Sequence, residues 1–292
     1  SLLRAAPDRH AAVHYDVDAG GTLWARGRRY KASADGSGFA FTPFLGSDAP
    51  RNYPVRFQLD AVRRGRDGIA MAQSSTVKRE GDRIVHDHGA VRVRYDLDPE
   101  SVEQSFELAS APGVGDLVLF LDVVSDLVAS TQESGFRFSN ERGGVDYGAA
   151  VVFDSKGRRS SVAAALTTDG IQLTVPAAFL ADAAWPIVVD PVLTPFTVGT
   201  SSATLGSPDA DYLSSGTSDH YCVVFEERFS AADVDLFSWI VATDGTASNG
   251  VYIDQTSASW SRPKVCGHSW WDRFMVVAEA DSAAVPGSKD IQ

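Results

Sequence analysis

Apolar and polar residues alternate with a period of two through most of the first 190 positions, and this restricts the fold more than any other feature. Val55, Phe57, Leu59 and Ala61 fall on one side of the chain, with Arg56, Gln58 and Asp60 on the other. Val91, Val93 and Tyr95 alternate with Arg92 and Arg94, and Val102, Gln104, Phe106 and Leu108 with Glu103, Ser105 and Glu107. Successive side chains of a strand point to opposite faces, so this pattern describes strands with one buried face. Turn signals separate the runs: Gly20-Gly21, Glu80-Gly81-Asp82, Asp154-Ser155-Lys156-Gly157 and Asp169-Gly170. Helical periodicity is confined to one short turn within 176–184. The expected fold is all-β. Residues 1–193 are expected to form a β-sandwich module of one or two subdomains, with a break near 97–115.

Composition narrows the function classes. The 292 residues are 44% hydrophobic, which suits a folded chain. The net charge of −12 is uneven: residues 1–96 carry 16 basic and 11 acidic side chains, residues 97–292 carry 10 and 27. No basic stripe is present and the overall sign is acidic, so no nucleic-acid partner is expected. No apolar run reaches the length of a membrane-spanning helix, so no transmembrane segment is expected. The chain opens at Ser1 and closes at Gln292 without a recognisable signal at either end, as expected of a processed or trimmed polypeptide.

Residues 194–207 are rich in Thr, Ser, Gly and Pro and read as a linker. Beyond them lies a repeat. Pro208 matches Pro263 and Asp235-Leu236-Phe237 matches Asp290-Ile291-Gln292, both at a spacing of 55. Tyr221-Cys222-Val223-Val224-Phe225-Glu226 matches Phe274-Met275-Val276-Val277-Ala278-Glu279 at a spacing of 53. Four short strands per copy is the plan of a β-propeller blade. The reading is a first propeller-like blade over 208–261 and an incomplete second over 262–292, the start of a repeat array that closes only with more chain or another subunit.

Residues 205–292 resemble the propeller-type repeats of large secreted bacterial surface proteins, on the strings Tyr221-Cys222-Val223-Val224-Phe225-Glu226, Asp233-Val234-Asp235-Leu236-Phe237 and Asp244-Gly245. The string Ala184-Trp185-Pro186-Ile187-Val188-Val189-Asp190-Pro191 resembles the closing strand of β-rich modules in such proteins. Phe41-Thr42-Pro43-Phe44-Leu45-Gly46 is similar to another of their motifs. The resemblance implies secretion and display at a bacterial cell surface. It supplies no catalytic residue.

Candidate sites are few. Cys222 and Cys266 fall on strands of neighbouring repeats; a disulfide and two separate buried thiols are both open readings. His86 and His88 share a strand face and form the best metal-like pair, with a solvated strand end as the plainer reading. Acidic pairs, among them Asp16 and Asp18, Asp209 and Asp211, and Asp233 and Asp235, are the places where calcium is conceivable as a cofactor, although none matches a calcium loop and turn capping accounts for them. Glu226 and Glu279 recur at equivalent positions and read as structural. Trp260, Trp270 and Trp271 read as packing between repeats rather than as sugar platforms. No serine-nucleophile motif and no triad-like histidine occurs.

The expected function is that of a secreted or cell-surface structural or adhesive protein acting through assembly or binding rather than catalysis. Its expected partners are other copies or other surface proteins of an extracellular assembly, and glycans. The alternatives are an extracellular carbohydrate-active enzyme with a propeller domain, and a protein-binding scaffold docking through Arg56, Arg63, Arg64 and Arg66.

Overall fold

In the computed structural model, the described residues are 12–72, 75–197, 203–214, 219–248, 250–281 and 288–292. The chain is all-β, built from antiparallel ladders. The single described α-helix, Ala177–Leu180, has four residues. No helix among the described residues is long and apolar enough to cross a membrane. The chain divides into two compact units: residues 17–43 with 53–198, and residues 1–16, 44–52 and 199–292.

The larger unit contains two sheets. Leu23–Arg26, Tyr30–Asp35, Gly38–Pro43, Val55–Arg64, Leu117–Ser125, Gly170–Val175 and Ala163–Leu166 follow one another across the first. The second carries Val91–Leu97, Val102–Leu108, Ile187–Asp190 and Val151–Asp154 through its centre. The period-two pattern is realised directly: Val91–Leu97 alternates fully buried and half-buried residues along its length. The buried faces meet through aromatic rings. Phe39 stacks on Tyr95 at 3.8 Å between centroids, and Phe57 lies 5.6 Å from Tyr147 and 6.2 Å from Phe138. Each such ring contributes about 1.5–3 kcal/mol by leaving water. Within this apolar layer Gln104 is fully buried, donating from Nε2 to the Tyr95 hydroxyl and accepting from the Tyr147 hydroxyl at Oε1, both at 2.9 Å.

At two expected boundaries the strands pair through. Across the break expected near 97–115 the sheet is continuous, because Val102–Leu108 pairs residue for residue with Val91–Leu97. The expected linker 194–207 contributes strands at both ends, Val192–Thr197 and Thr204–Ser214. Its Thr and Pro residues are compatible with pairing, and Val145 opposes Pro195. Buried Val162 divides two short strands: Arg159–Ser161 belongs to one sheet and Ala163–Leu166 to the other. Gly170, from the Asp169-Gly170 turn signal, allows close approach, since a Cβ there would strike the Leu121 carbonyl.

The smaller unit holds a four-stranded sheet, Thr204–Ser214, Asp219–Ser230, Asp233–Ala242 and Val251–Asp254, and a three-stranded sheet, Trp260–His268, Arg273–Asp281 and Lys289–Ile291. The two copies of the repeat share their register. Asp211 opposes Cys222 as Cys266 opposes Met275, and Leu236 opposes Glu226 as Ile291 opposes Glu279. They also share an irregularity. Pairing shifts between Gly206 and Asp209 and between Ser261 and Lys264, with Ser207 and Arg262 at φ of 45° and 54°. A bulge at equivalent positions shows that the sequence repeat is a structural one. Residues 44–52 join this unit: Ala231 N donates to the Ala49 carbonyl at 2.8 Å, and Phe44 packs on Phe229.

Candidate functional site

The larger unit carries a pocket of about 400 Å³, open to solvent on one side, beside Val55–Arg64 of one sheet and Arg83–Asp87 and Val91–Leu97 of the other. A segment crosses from sheet to sheet beside it and is pinned at both ends. Ile69 N donates to the Val62 carbonyl at 2.8 Å, and Ala72 N donates to the His88 carbonyl at 2.9 Å. Tyr95 and Phe57 border it while staying buried in the aromatic core, and Gly36, Gly38 and Gly68 bring bare backbone to it.

Polar groups converge on this space. His86 and Tyr95 reach it because alternation turns both inward, and their rings meet edge to face at 5.7 Å. His86 is 3% exposed, and its Nδ1 lies 3.4 Å from Ser75 Oγ. Its Nε2 is buried without a hydrogen-bond partner among the described residues. Burial, reinforced by neighbouring His88, pushes the His86 imidazole down to about 4, so the ring is neutral at pH 7. Asp60 joins the lining at an irregularity in the strand, where Phe120 opposes Ala61 and Leu121 opposes Leu59, leaving Asp60 outside the pairing.

The structure therefore brings the expected pair His86 and His88 to one wall, but not into a metal centre. Their rings lie nearly parallel, 15° apart in plane and 6.5 Å between centroids. With nitrogens about 2.0–2.1 Å from a bound metal, two imidazoles converge on it rather than stack. Among the described residues no group of three or more His, Cys, Asp or Glu side chains is arranged to hold a metal. Asp233 and Asp235 are fully buried in the smaller unit, where Asn52 Nδ2 donates to Asp233 Oδ2 at 2.6 Å.

Of the two open readings of the cysteine pair, the structure has the separate thiols. Both thiols are free, Cys222 buried and Cys266 exposed. Cys222 packs against Val265, and strand alternation turns the next residue, Cys266, to the opposite face. Burial raises the Cys222 thiol to about 11. The tryptophan reading is corrected for two of its three residues, since Trp270 and Trp271 are exposed, with Trp271 stacked on His268, whereas Trp260 is partly buried. Glu226 and Glu279 behave as structural residues: Glu226 accepts from Arg262 N at 2.8 Å and Glu279 from Arg262 Nη1 at 2.9 Å. Three of the four arginines suggested as a docking surface have partners within their own unit, and Arg66 is exposed. Arg56 pairs with Asp35, Arg63 lies over Phe120, and Arg64 donates to the Ala111 carbonyl.

Two features escaped sequence reasoning. Ser75 carries no pattern of its own and matters only through His86. Asp190, from the closing-strand motif, shares a hydrogen bond with Glu103; burial and that neighbour raise its carboxyl to about 7. No family model matches this chain, and no curated protein matches it significantly.

Proposed function

We propose that this chain is a secreted or cell-surface structural or adhesive protein of bacterial type, acting through assembly and binding, in which residues 208–292 are propeller-type blades following a β-rich module. One observation carries the reading. Cys222 and Val224 of the first repeat are buried beneath Val265, Phe274 and Val276 of the second. Their equivalents in the second repeat are Met275, 61% exposed, and the half-buried Val277. A position covered in one copy and open in the next marks the face on which a stacked array continues. The occupant of that face is a further sheet of the same repeat, in the same polypeptide or in another member of an extracellular assembly.

Adding a second copy of residues 238–292 after Gln292 tests this. The expected result is protection of Met275, with peroxide oxidation slowed about tenfold and a raised melting temperature. An added segment that stays unfolded while Met275 oxidises at its original rate would overturn the reading. Exposed Trp270 and Trp271 favour a second reading, an extracellular carbohydrate-active protein. Unlike assembly, that reading requires a sugar to quench their fluorescence.

A further inference from the structure

Packing between the two repeats has a direction. Cys222 and Val224 of the first copy lie against Phe274 and Val276 of the second. Ala278 and Ala280 share a strand face with Phe274 and Val276, and both are buried. One copy therefore offers its Cys222 face and the next its Val276 face, a head-to-tail contact that each further copy can repeat.

At the spacing of 53, the positions of Val276, Ala278 and Ala280 are held in the first copy by Val223, Phe225 and Glu227. The pairing agrees, since Glu227 opposes Asp235 as Ala280 opposes Asp290. A propeller that closed on its first blade would dock its last sheet on this face. The face is already covered. Phe237 and Tyr252 share it with Phe225, and the His14 ring meets both edge on, at 6.2 and 5.0 Å between centroids. Gly250 lies on Phe237 and Trp239, where a Cβ would strike both rings. At the end of the sheet Phe44 packs on Phe229, and Asn52 donates to Asp233.

The side chains differ in kind as well. Glu227 is fully buried and accepts from the Tyr252 hydroxyl. A sheet stacked here would displace His14, and would then meet a phenyl ring and a buried carboxylate in place of two methyl groups.

We propose, on the basis of the stacked repeats inferred above, that the array is one-ended. The first copy is a terminal repeat, covered by His14 and Gly250 and held at its end by residues 44–52. Growth proceeds only from the Met275 face of the second copy. The occupant of that face is a further repeat with small side chains at the positions of Ala278 and Ala280. A second copy of this chain does not serve. Its first repeat is capped on the required face, and its second repeat has that face packed on Cys222 and Val224.

The test lengthens the full chain by successive copies of residues 238–292 after Gln292, until about eight sheets are present, enough to close a propeller. Met275→Cys with Cys266→Ser in every copy puts one thiol on each growth face, at the position that Cys222 holds in the first copy. A thiol-reactive dye counts accessible thiols in the folded protein, and sedimentation reads association. The expected result is a monomer with one reactive thiol at every length, Cys222 reacting only on unfolding. Peroxide oxidation of a single Met275 per chain in the unsubstituted series gives the same count if the substitutions disturb folding. A count that falls to zero in a monomer marks a closed ring and overturns the proposal. A count that falls with concentration as chains associate overturns it equally. A count that rises with every copy added overturns the stacking of repeats itself, and the one-ended array with it.

Discussion

His86 is kept neutral by its burial, and Asp190 keeps its proton for the same reason, so the two respond oppositely to pH. Between about 6.5 and about 4 the unfolded chain protonates this histidine more readily than the native one. His86 therefore contributes stability that is complete above pH 6.5 and lost as pH falls towards 4. Native Asp190 holds its proton to about pH 7, whereas the unfolded carboxyl releases it near 3.8. Its contribution is complete below the unfolded value and lost as pH rises through 7. Melting curves from pH 4 to 8 should show His86→Phe removing an acid-side loss on the order of 3 kcal/mol. Asp190→Asn should flatten the decline towards pH 8. Unchanged slopes in both variants would contradict these assignments. The chemistry of either residue is not legible in the sequence, because His86 and Asp190 sit in ordinary strand patterns and acquire their properties from Ser75, His88 and Glu103.

Strands of the smaller unit are joined by carboxylates accepting from backbone. Asp209 Oδ2 accepts from Val265 N at 2.9 Å and Asp211 Oδ2 from Gly267 N at 2.7 Å, so the first strand of one repeat grips the first strand of the next. These bonds hold both carboxyls below the usual range, chiefly through the Val265 and Gly267 amides. Asp211→Ala leaves the Gly267 N–H without its acceptor, and urea unfolding should show a lowered midpoint. Asp211→Asn, which retains an acceptor, should cost less. Sequence reasoning assigned these acids to turn capping or calcium because an acidic pair looks the same in a loop and on a strand. The strands themselves were legible from alternation, and the repeat spacing anticipated a register that the backbone reproduces down to the bulge before each proline. The expected linker misled because Thr and Pro signal loops by composition yet pair readily at Val192–Thr197, where Leu193 is buried.

Across the whole molecule, two compact units are each organised around aromatic contacts, Phe39 with Tyr95 and Phe57 with Tyr147 in the larger, Phe225 with Phe237 and Tyr252 in the smaller. In the larger unit the layers also enclose the Tyr95–Gln104–Tyr147 chain of hydrogen bonds. Tyr147→Phe preserves the ring packing but leaves the Gln104 carbonyl without its donor, and chemical denaturation should show a loss of about 1–3 kcal/mol with an unchanged denaturant slope. The sequence by itself determined the all-β class, which side of most strands is buried, and the matching register of the two repeats. Those properties follow from side-chain alternation, which is local to each strand. Only the tertiary structure decided that His86, Ser75 and Asp60 border one pocket, that Cys222 and Cys266 face apart, that Glu103 meets Asp190, and that residues 44–52 join the repeats. Each of these depends on which distant strands become neighbours, a choice made by burial across the whole chain and carried by no single segment.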